Sequence, residues 1–521
     1  VKVNNQSVIN VTLKADAVML DEVVAIGYAT VKRKDLTGSV ASVGGQELSK
    51  IPVSDVTQAL SGRMAGVMVQ QSEGAPGSTV SIRVRGGISI TQSNEPLYVI
   101  DGFPSEDGMA SLDPAEIETI DVLKDASATA IYGARGANGV VVISTKNGSK
   151  SHGKATVTFD SYVGFKTLAK KLDVLSPYEF VRLDYERTLW RMSTGDAGAD
   201  GMTSWEKRYG KYSDIEANYA NRPGINWQDE ALGRTALTQN YRVAVSGKTE
   251  KMNYSLAYSF YNEEGAMVYS GTKKHNISFN MNHEVNKWLT VNSRISYDQR
   301  RVEGMGTSGD SDRFNKMQHI LQYRPTIGIQ GTDAELLAGE DPILADDSGN
   351  VMQNPLISAA EEINDREWRT FQANGGATIK LLKGLSFRST VGMLYQTRRN
   401  DVFYGAESQT AKRSSIKGTI TNLENNSFQT SNVLTYAWNN KIHDITAMVG
   451  HEFISKWARS FSAGATQFPN DEIGLGDLSL GTPSTPTSSE NYDDKLLSFF
   501  ARVNYSLLDK YLFTASVRAD G

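Results

Sequence analysis

Apolar and polar residues alternate strictly over 252–261. Tyr254, Leu256, Tyr258 and Phe260 fall in one phase, and Asn253, Ser255, Ala257 and Ser259 in the other. Successive side chains of a strand point to opposite faces, so the stretch predicts a strand with one apolar and one polar face. The pattern recurs and predicts eleven strands, near 155–165, 238–248, 251–262, 272–284, 288–300, 367–381, 385–398, 427–438, 441–456, 494–507 and 511–520. The links between them alternate in length. Those around 249–250, 285–287, 382–384, 439–440 and 508–510 are tight; those over 166–237, 263–271, 301–366, 399–426 and 457–493 are long. Short turns at one rim and longer loops at the other are the mark of a transmembrane antiparallel β-barrel. A soluble sandwich shares the two-faced strands but not the alternating links. Trp288, Tyr297, Tyr395, Trp438, Trp457, Tyr505 and Tyr511 lie near predicted strand ends, as interfacial girdles do.

This phase makes Tyr254, Leu256, Tyr258, Phe260, Leu289, Val291, Phe387 and Val391 lipid-facing and Ser255 lumen-facing. Arginine at Leu256 should therefore disturb assembly far more than arginine at Ser255. A closed single-chain bacterial barrel has an even strand number, so eleven predicts further strands beyond Gly521. The start, close to a predicted strand at 8–13 and without a signal peptide, predicts a missing leader.

Residues 27–149 break the hairpin rule. They hold short apolar runs at 67–70, 81–86, 96–102, 120–124 and 139–145, separated by glycines. The stretches 55–60 and 125–131 predict short helices capped by Asp55 and Asp125. This is a small α+β domain. Arg83 and Arg85 alternate with Ile82 and Val84, which places both on one strand face. Inside a polar barrel such cations can pair with wall carboxylates, and on a solvated edge strand they need no partner.

Composition narrows the picture further. A net charge of −5 supplies no basic field for nucleic acid. No apolar run approaches the roughly 20 residues of a membrane helix, and the mean hydropathy is −0.37. The absence of cysteine suits an oxidising envelope compartment without requiring one. The glycine-rich stretch 133–139 lacks the spacing of a P-loop or a dinucleotide fingerprint, and reads as a tight helix-to-strand turn. His283-Glu284 and His451-Glu452 lack the second histidine of a zincin. Asp310, Asp312, Asp346 and Asp347 have calcium-type oxygens, but such runs are mostly solvated. No catalytic constellation, metal site or cofactor motif stands out. In the first long loop, Ser176 and Pro177 open an amphipathic helix. Its aromatics Trp190, Trp205, Tyr209, Tyr212, Tyr219 and Trp227 either form a small loop core or meet a partner or sugar.

Four blocks in order carry a family resemblance. They are 20–28 with 35–40, then 81–87 (Arg83, Arg85, Gly86, Gly87), 96–104 (Tyr98, Asp101, Gly102, Pro104) and 122–146 (Asp125, Tyr132, Gly133, Arg135, Gly136, Gly139). Together they resemble the plug region of SusC/RagA-type TonB-dependent outer-membrane transporters. The resemblance implies a 22-stranded barrel, about half of it in this chain, around an N-terminal plug. It divides the chain into 1–14, the last strand of a β-sandwich extension; 15–26, the TonB-box segment; 27–149, the plug; and 150–521, the N-terminal half of the barrel. It makes Asp21, Glu22, Val23, Val24, Ala25 and Ile26 the segment that TonB's periplasmic domain pairs with by strand addition. It makes Arg83, Arg85 and Arg135 candidate plug anchors. It implies import of an oligosaccharide or oligopeptide across the outer membrane, a SusD-type lipoprotein lid, and a dimer of transporter–lipoprotein pairs. A siderophore or vitamin receptor, and a surface glycan-binding or adhesion protein without transport, are the alternatives.

Overall fold

The computed structural model describes residues 23–521, apart from 27–28, 33–38, 87–89, 126–128, 196–200, 305–315, 340–353 and scattered shorter gaps. The sequence reading of 1–14 therefore lies outside the described residues. The first described element is a hairpin of β1 (Val23–Ile26) and β2 (Ala29–Lys32).

The domain that follows is built on a five-stranded sheet. Its strands are β3 (Val40–Gly44), β6 (Leu97–Ile100), β7 (Phe103–Ser105), β8 (Ile117–Leu123) and β9 (Val140–Thr145), in the order β3-β8-β9-β6-β7. The pair β6–β9 is parallel and the other pairs are antiparallel. A separate hairpin joins β4 (Val67–Gln71) to β5 (Val80–Val84). Short helices, one capped by the Asp55 carboxylate on the Thr57 amide, pack beside them. The run 140–143 is apolar without alternation because both its faces are covered. Val141 and Ile143 enter the domain's own core with Leu48, Leu60, Ile82 and Ile120. Val140 and Val142 point the other way, towards Val433, Met448 and Phe500 of the barrel wall.

The wall is a single antiparallel sheet in chain order. It runs through β10 (Thr156–Lys166), β11 (Ala236–Lys248), β12 (Met252–Glu264), β13 (Gly271–Asn286), β14 (Leu289–Glu303), β15 (Glu362–Leu382), β16 (Leu385–Tyr404), β17 (Lys417–Asn439), β18 (His443–Thr466), β20 (Thr487–Leu507) and β21 (Tyr511–Asp520). A two-residue strand, β19 (Thr482–Pro483), leans on β18 off this path. All eleven predicted strands are present, joined by short and long links in turn. Five of them, β15, β16, β17, β18 and β20, extend at least five residues further at the long-loop end than alternation indicated. The second long link shrinks to 265–270, closed by the Gly265 amide on the Ser270 carbonyl.

The register aligns apolar residues into outward rows. One runs Val245, Leu256, Phe279, Ile295, Ala373, Met393, Phe428 across seven strands. Leu256, Tyr258, Ile277, Ile295, Val391 and Met393 are exposed on this face, which forms an apolar belt. Ser255, Ala257 and Ser259 point inward as their phase requires, but they are buried. Ser255 therefore does not face open lumen, and arginine there would be overpacked rather than harmless.

The first long loop folds on itself. Helix Pro177–Ser193 begins with a capping box between Ser176 and Glu179. Trp205, Tyr209 and Tyr219 pack with Val181 and Ile215 into a local core. Trp227 anchors a second core with Ile320, Ile327 and Leu336 from the third long loop. Trp190 and Tyr212 are the exceptions, 65% and 49% exposed.

Candidate functional site

The N-terminal domain meets the barrel wall along two polar seams with an apolar band between them. The first seam lies on β13, whose inward residues Lys274, Asn276, Ser278 and Asn280 are all buried. The Lys274 ammonium donates to the carbonyls of Ala110 and Leu112, at 2.7 Å each. Asn276 donates to the Ser111 carbonyl at 2.7 Å, and Asn280 to that of Lys146 at 3.2 Å. The Ser278 hydroxyl donates to Glu116 Oε1 at 2.8 Å.

On the neighbouring strand β14, the Arg294 side chain is only 4% exposed. Its guanidinium lies 3.3 Å from Asp101 Oδ2 and 3.6 Å from Glu116 Oε2, and donates to Thr145 Oγ1 at 2.8 Å. Asp101 is held ready by the Thr145 amide and hydroxyl, at 2.9 and 2.6 Å. Burial pushes the Glu116 carboxyl above its ordinary range, and Arg294 opposes that shift.

The second seam gathers around Glu452 on β18, which is fully buried. Arg135 of the N-terminal domain and Arg518 of β21 each place a nitrogen 2.6 Å from Glu452 Oε2. Gln429 donates to its other oxygen at 3.1 Å. Arg518 also donates to the Ile131 carbonyl at 2.8 Å and pairs with Asp520 at 2.7 Å. The chain comes so close here that a Cβ on Gly133 would stand 2.3 Å from Asp520 Oδ2, and its φ of +62° is itself a glycine conformation. Between the seams, Val99, Leu123, Ile131, Tyr132, Val140 and Val142 pack on Val433, Met448 and Phe500.

The three arginines singled out in the sequence have different positions. Arg135 enters the Glu452 cluster. Arg83 stands exposed on β5, because Ile82 and Val84 take the core phase, and it forms no ion pair among the described residues. Arg85 lies outside the described residues. The polarity is also mixed: at Arg294 the wall supplies the cation and the N-terminal domain the carboxylates. Lys274, Ser278, Arg294 and Arg518 escaped the sequence reading, and Glu452 entered it only beside His451 as a discarded zincin pair. Their signal was there, as polar or charged residues at mid-strand on the non-lipid phase.

Of the residues from Asp21 to Ile26, Val23–Ile26 form β1, with Val24 opposite Val31. Asp21 and Glu22 lie outside the described residues. Since β1 and β2 form a sheet of two, β1 keeps one edge without a strand partner among the described residues. An edge of that kind can accept an added strand. Asp310, Asp312, Asp346 and Asp347 lie outside the described residues, and no His/Asp/Glu group suited to a metal occurs among the described ones.

Comparison with known proteins agrees with this architecture. Residues 32–140 match the TonB-dependent receptor plug domain. The chain is 30% identical to TonB-dependent receptor P3 of Formosa agariphila, over all of this chain and 48% of that protein. It is 30% identical to TonB-dependent receptor SusC of Bacteroides thetaiotaomicron, over 98% of this chain and 50% of that one. The chain thus spans about half the length of the curated relatives it matches. The fold superposes on the RagAB peptide importer in its open-open state with a TM-score of 0.79 and 26% identity, over 96% of this chain and 56% of that one. Likeness to the unliganded ferric citrate transporter FecA, at a TM-score of 0.53 and 11% identity, shows the fold alone.

Proposed function

The chain is a member of the TonB-dependent receptor family, of the SusC/RagA type, and from that premise we propose that the protein imports a large nutrient across a bacterial outer membrane. The observation that carries this reading is the seating of the N-terminal domain. It lies against the inward face of a wall whose outward face is an apolar belt, and it meets that face through two polar seams with an apolar band between them. Such a plug blocks passage at rest, and its polar seams are breakable without unfolding the wall. The cargo is an oligosaccharide or an oligopeptide; RagAB, described as a peptide importer, supports that size of cargo. The strand Val23–Ile26, with Asp21 and Glu22 before it, receives the periplasmic domain of TonB by strand addition. Arg135, and Arg85 with it, belongs to the anchoring of the plug, whereas Arg83 stands exposed. A SusD-type lipoprotein covers the loop end of the barrel, and the pairs associate as dimers.

The test is genetic and biochemical together. Deleting the gene should abolish growth on one class of oligomeric nutrient. The protein should copurify from outer membranes with a lipoprotein, and mass spectrometry should identify any bound oligomer. Unchanged growth across all such nutrients, or a bound ferric siderophore or corrinoid, would overturn the reading.

A further inference from the structure

One inward rung of the wall, at the edge of the plug, is lined with cations. The register sets Lys274 opposite Arg300, Arg300 opposite Trp368, and Trp368 opposite Arg398. Arg366, two residues from Trp368, shares its face. The guanidinium carbons of Arg300, Arg398 and Arg366 lie 4.2, 5.2 and 6.0 Å from the Trp368 ring centroid. Lys274 is occupied by plug carbonyls, and Arg300 borders the plug–wall seam near Asp55. On β14 the plug reaches past this rung, because Gly77 stands against Val302 on the rung above. On β16 the plug reaches Gly392, against Phe103, and Arg398 is six residues nearer the loops, about 20 Å along the strand.

The outward arginines of the same strands show what Arg300 and Arg398 lack. Arg301 pairs with Asp365 at 2.9 Å, Arg369 with Glu367 at 2.8 Å, and Arg399 with Asp401 at 2.7 Å. Arg300 and Arg398 form no ion pair among the described residues, and Arg300 Nε is buried without a hydrogen-bond partner. The nearest inward carboxylate by register is Asp298, one rung below on β14. Two guanidinium groups flanking one indole repel each other, and the ring face offsets only part of that repulsion. A bound anion would relieve it, because the guanidinium fork matches sulfate and carboxylate oxygens two at a time.

The surrounding inward positions indicate what carries the anion. The rung below holds Thr370, Gln396 and Asn425 beside Asp298; the rung above holds Asn400, Thr421 and Ser462 beside Val302 and Arg366. These amides and hydroxyls match the hydroxyls of a sugar chain, whereas mixed peptide side chains would call for apolar pockets. We propose that this rung binds an acidic oligosaccharide, its sulfate or carboxylate groups held by Arg300 and Arg398 beside Trp368. The proposal rests on the import reading above and names the cargo class.

The test uses the full-length protein in detergent on an array of sulfated, carboxylated and neutral oligosaccharides, with oligo-glutamate peptides alongside. Binding should be confined to acidic sugars. It should weaken at least tenfold when the same sugar is desulfated or esterified, and the two treatments separate sulfate from carboxylate recognition. The double variant Arg300→Gln, Arg398→Gln should lose at least tenfold in affinity while its heat-modifiability on gels stays normal. Should that variant fail to assemble, Arg398→Lys keeps the charge and removes the fork, and should weaken binding several-fold. Preference for neutral sugars or for oligo-glutamate, no binding to any member, or full affinity in the variants would overturn the proposal. TonB-dependent uptake of a neutral sugar would refute it and leave the import reading standing; acidic-sugar binding in a protein whose deletion leaves uptake intact would do the reverse.

Discussion

Glu452 offers the sharpest measurement of how the plug is held, because one carboxylate oxygen serves a plug arginine and a wall arginine together. The perturbation is Glu452→Gln, which keeps the shape and removes the charge. Breaking a buried ion pair from one side costs roughly 3–5 kcal/mol. Two features lower that figure here. Glutamine retains an acceptor oxygen and Arg518 keeps Asp520 at 2.7 Å, while the Arg135 side chain is 21% exposed and partly solvated. The expected loss in plug docking is therefore about 2–3 kcal/mol. Arg135→Met should cost less, about 1–2 kcal/mol, since it removes the more exposed partner. In the double variant the losses should overlap, leaving a coupling energy of about 1–2 kcal/mol. Hydrogen exchange on the full-length protein in detergent reads this from peptides over 117–123 and 140–145. There 1.4 kcal/mol appears as about a tenfold change in protection. Single variants that each exchange like the parent, or costs that simply add, would refute the idea that this pair holds the plug.

Leu256→Arg places a charge in the outward apolar row and should cost roughly 2–4 kcal/mol near the bilayer midplane, and heat-modifiability on gels equal to that of the parent would contradict the outward assignment. Val24→Pro removes a main-chain donor and fixes φ near −65°. It should leave membrane levels and ligand binding normal while abolishing uptake, and loss of the protein from the membrane would instead make β1 structural. A Cβ at Gly392 would stand 2.5 Å from the Phe103 ring, so Gly392→Val should shift the β6–β7 hairpin at a cost of about 1–3 kcal/mol, seen as faster exchange over 97–105; unchanged exchange there would refute the close packing.

The wall was legible because lipid imposes a strict phase on every second residue. Residues such as Leu256 and Met393 reveal a strand and its outer face without any knowledge of the partner strand. The same logic explains the strand ends that were missed. At 417–426 and 487–493 the chain lies beyond the apolar belt, so nothing selects apolar residues at alternate positions and the periodic signal fades while the hydrogen bonds continue. The run 140–143 could be recognised as a buried strand, but not that its second face belongs to the wall. The seam partners were out of reach for a related reason. Arg135 and Glu452 are 317 residues apart in sequence, and only the curvature of the wall decides which inward residue meets which part of the plug. The loop aromatics were open to two uses, and folding assigned Trp205, Tyr209, Tyr219 and Trp227 to cores.

The two-sided covering of β9 limits how a passage can open. Withdrawing the whole plug into water would expose Val99, Leu123, Ile131, Tyr132, Val140 and Val142 together. At roughly 1.5–3 kcal/mol for each large side chain, that is on the order of 10 kcal/mol, before any ion pair is counted. The side along β13 has no such penalty, because its carbonyls and amides can exchange a wall partner for water at little net cost. A pull transmitted from the N-terminus would meet a hinge at the greasy side and a parting line at the wet one. The plug would then swing ajar like a door rather than leave like a cork.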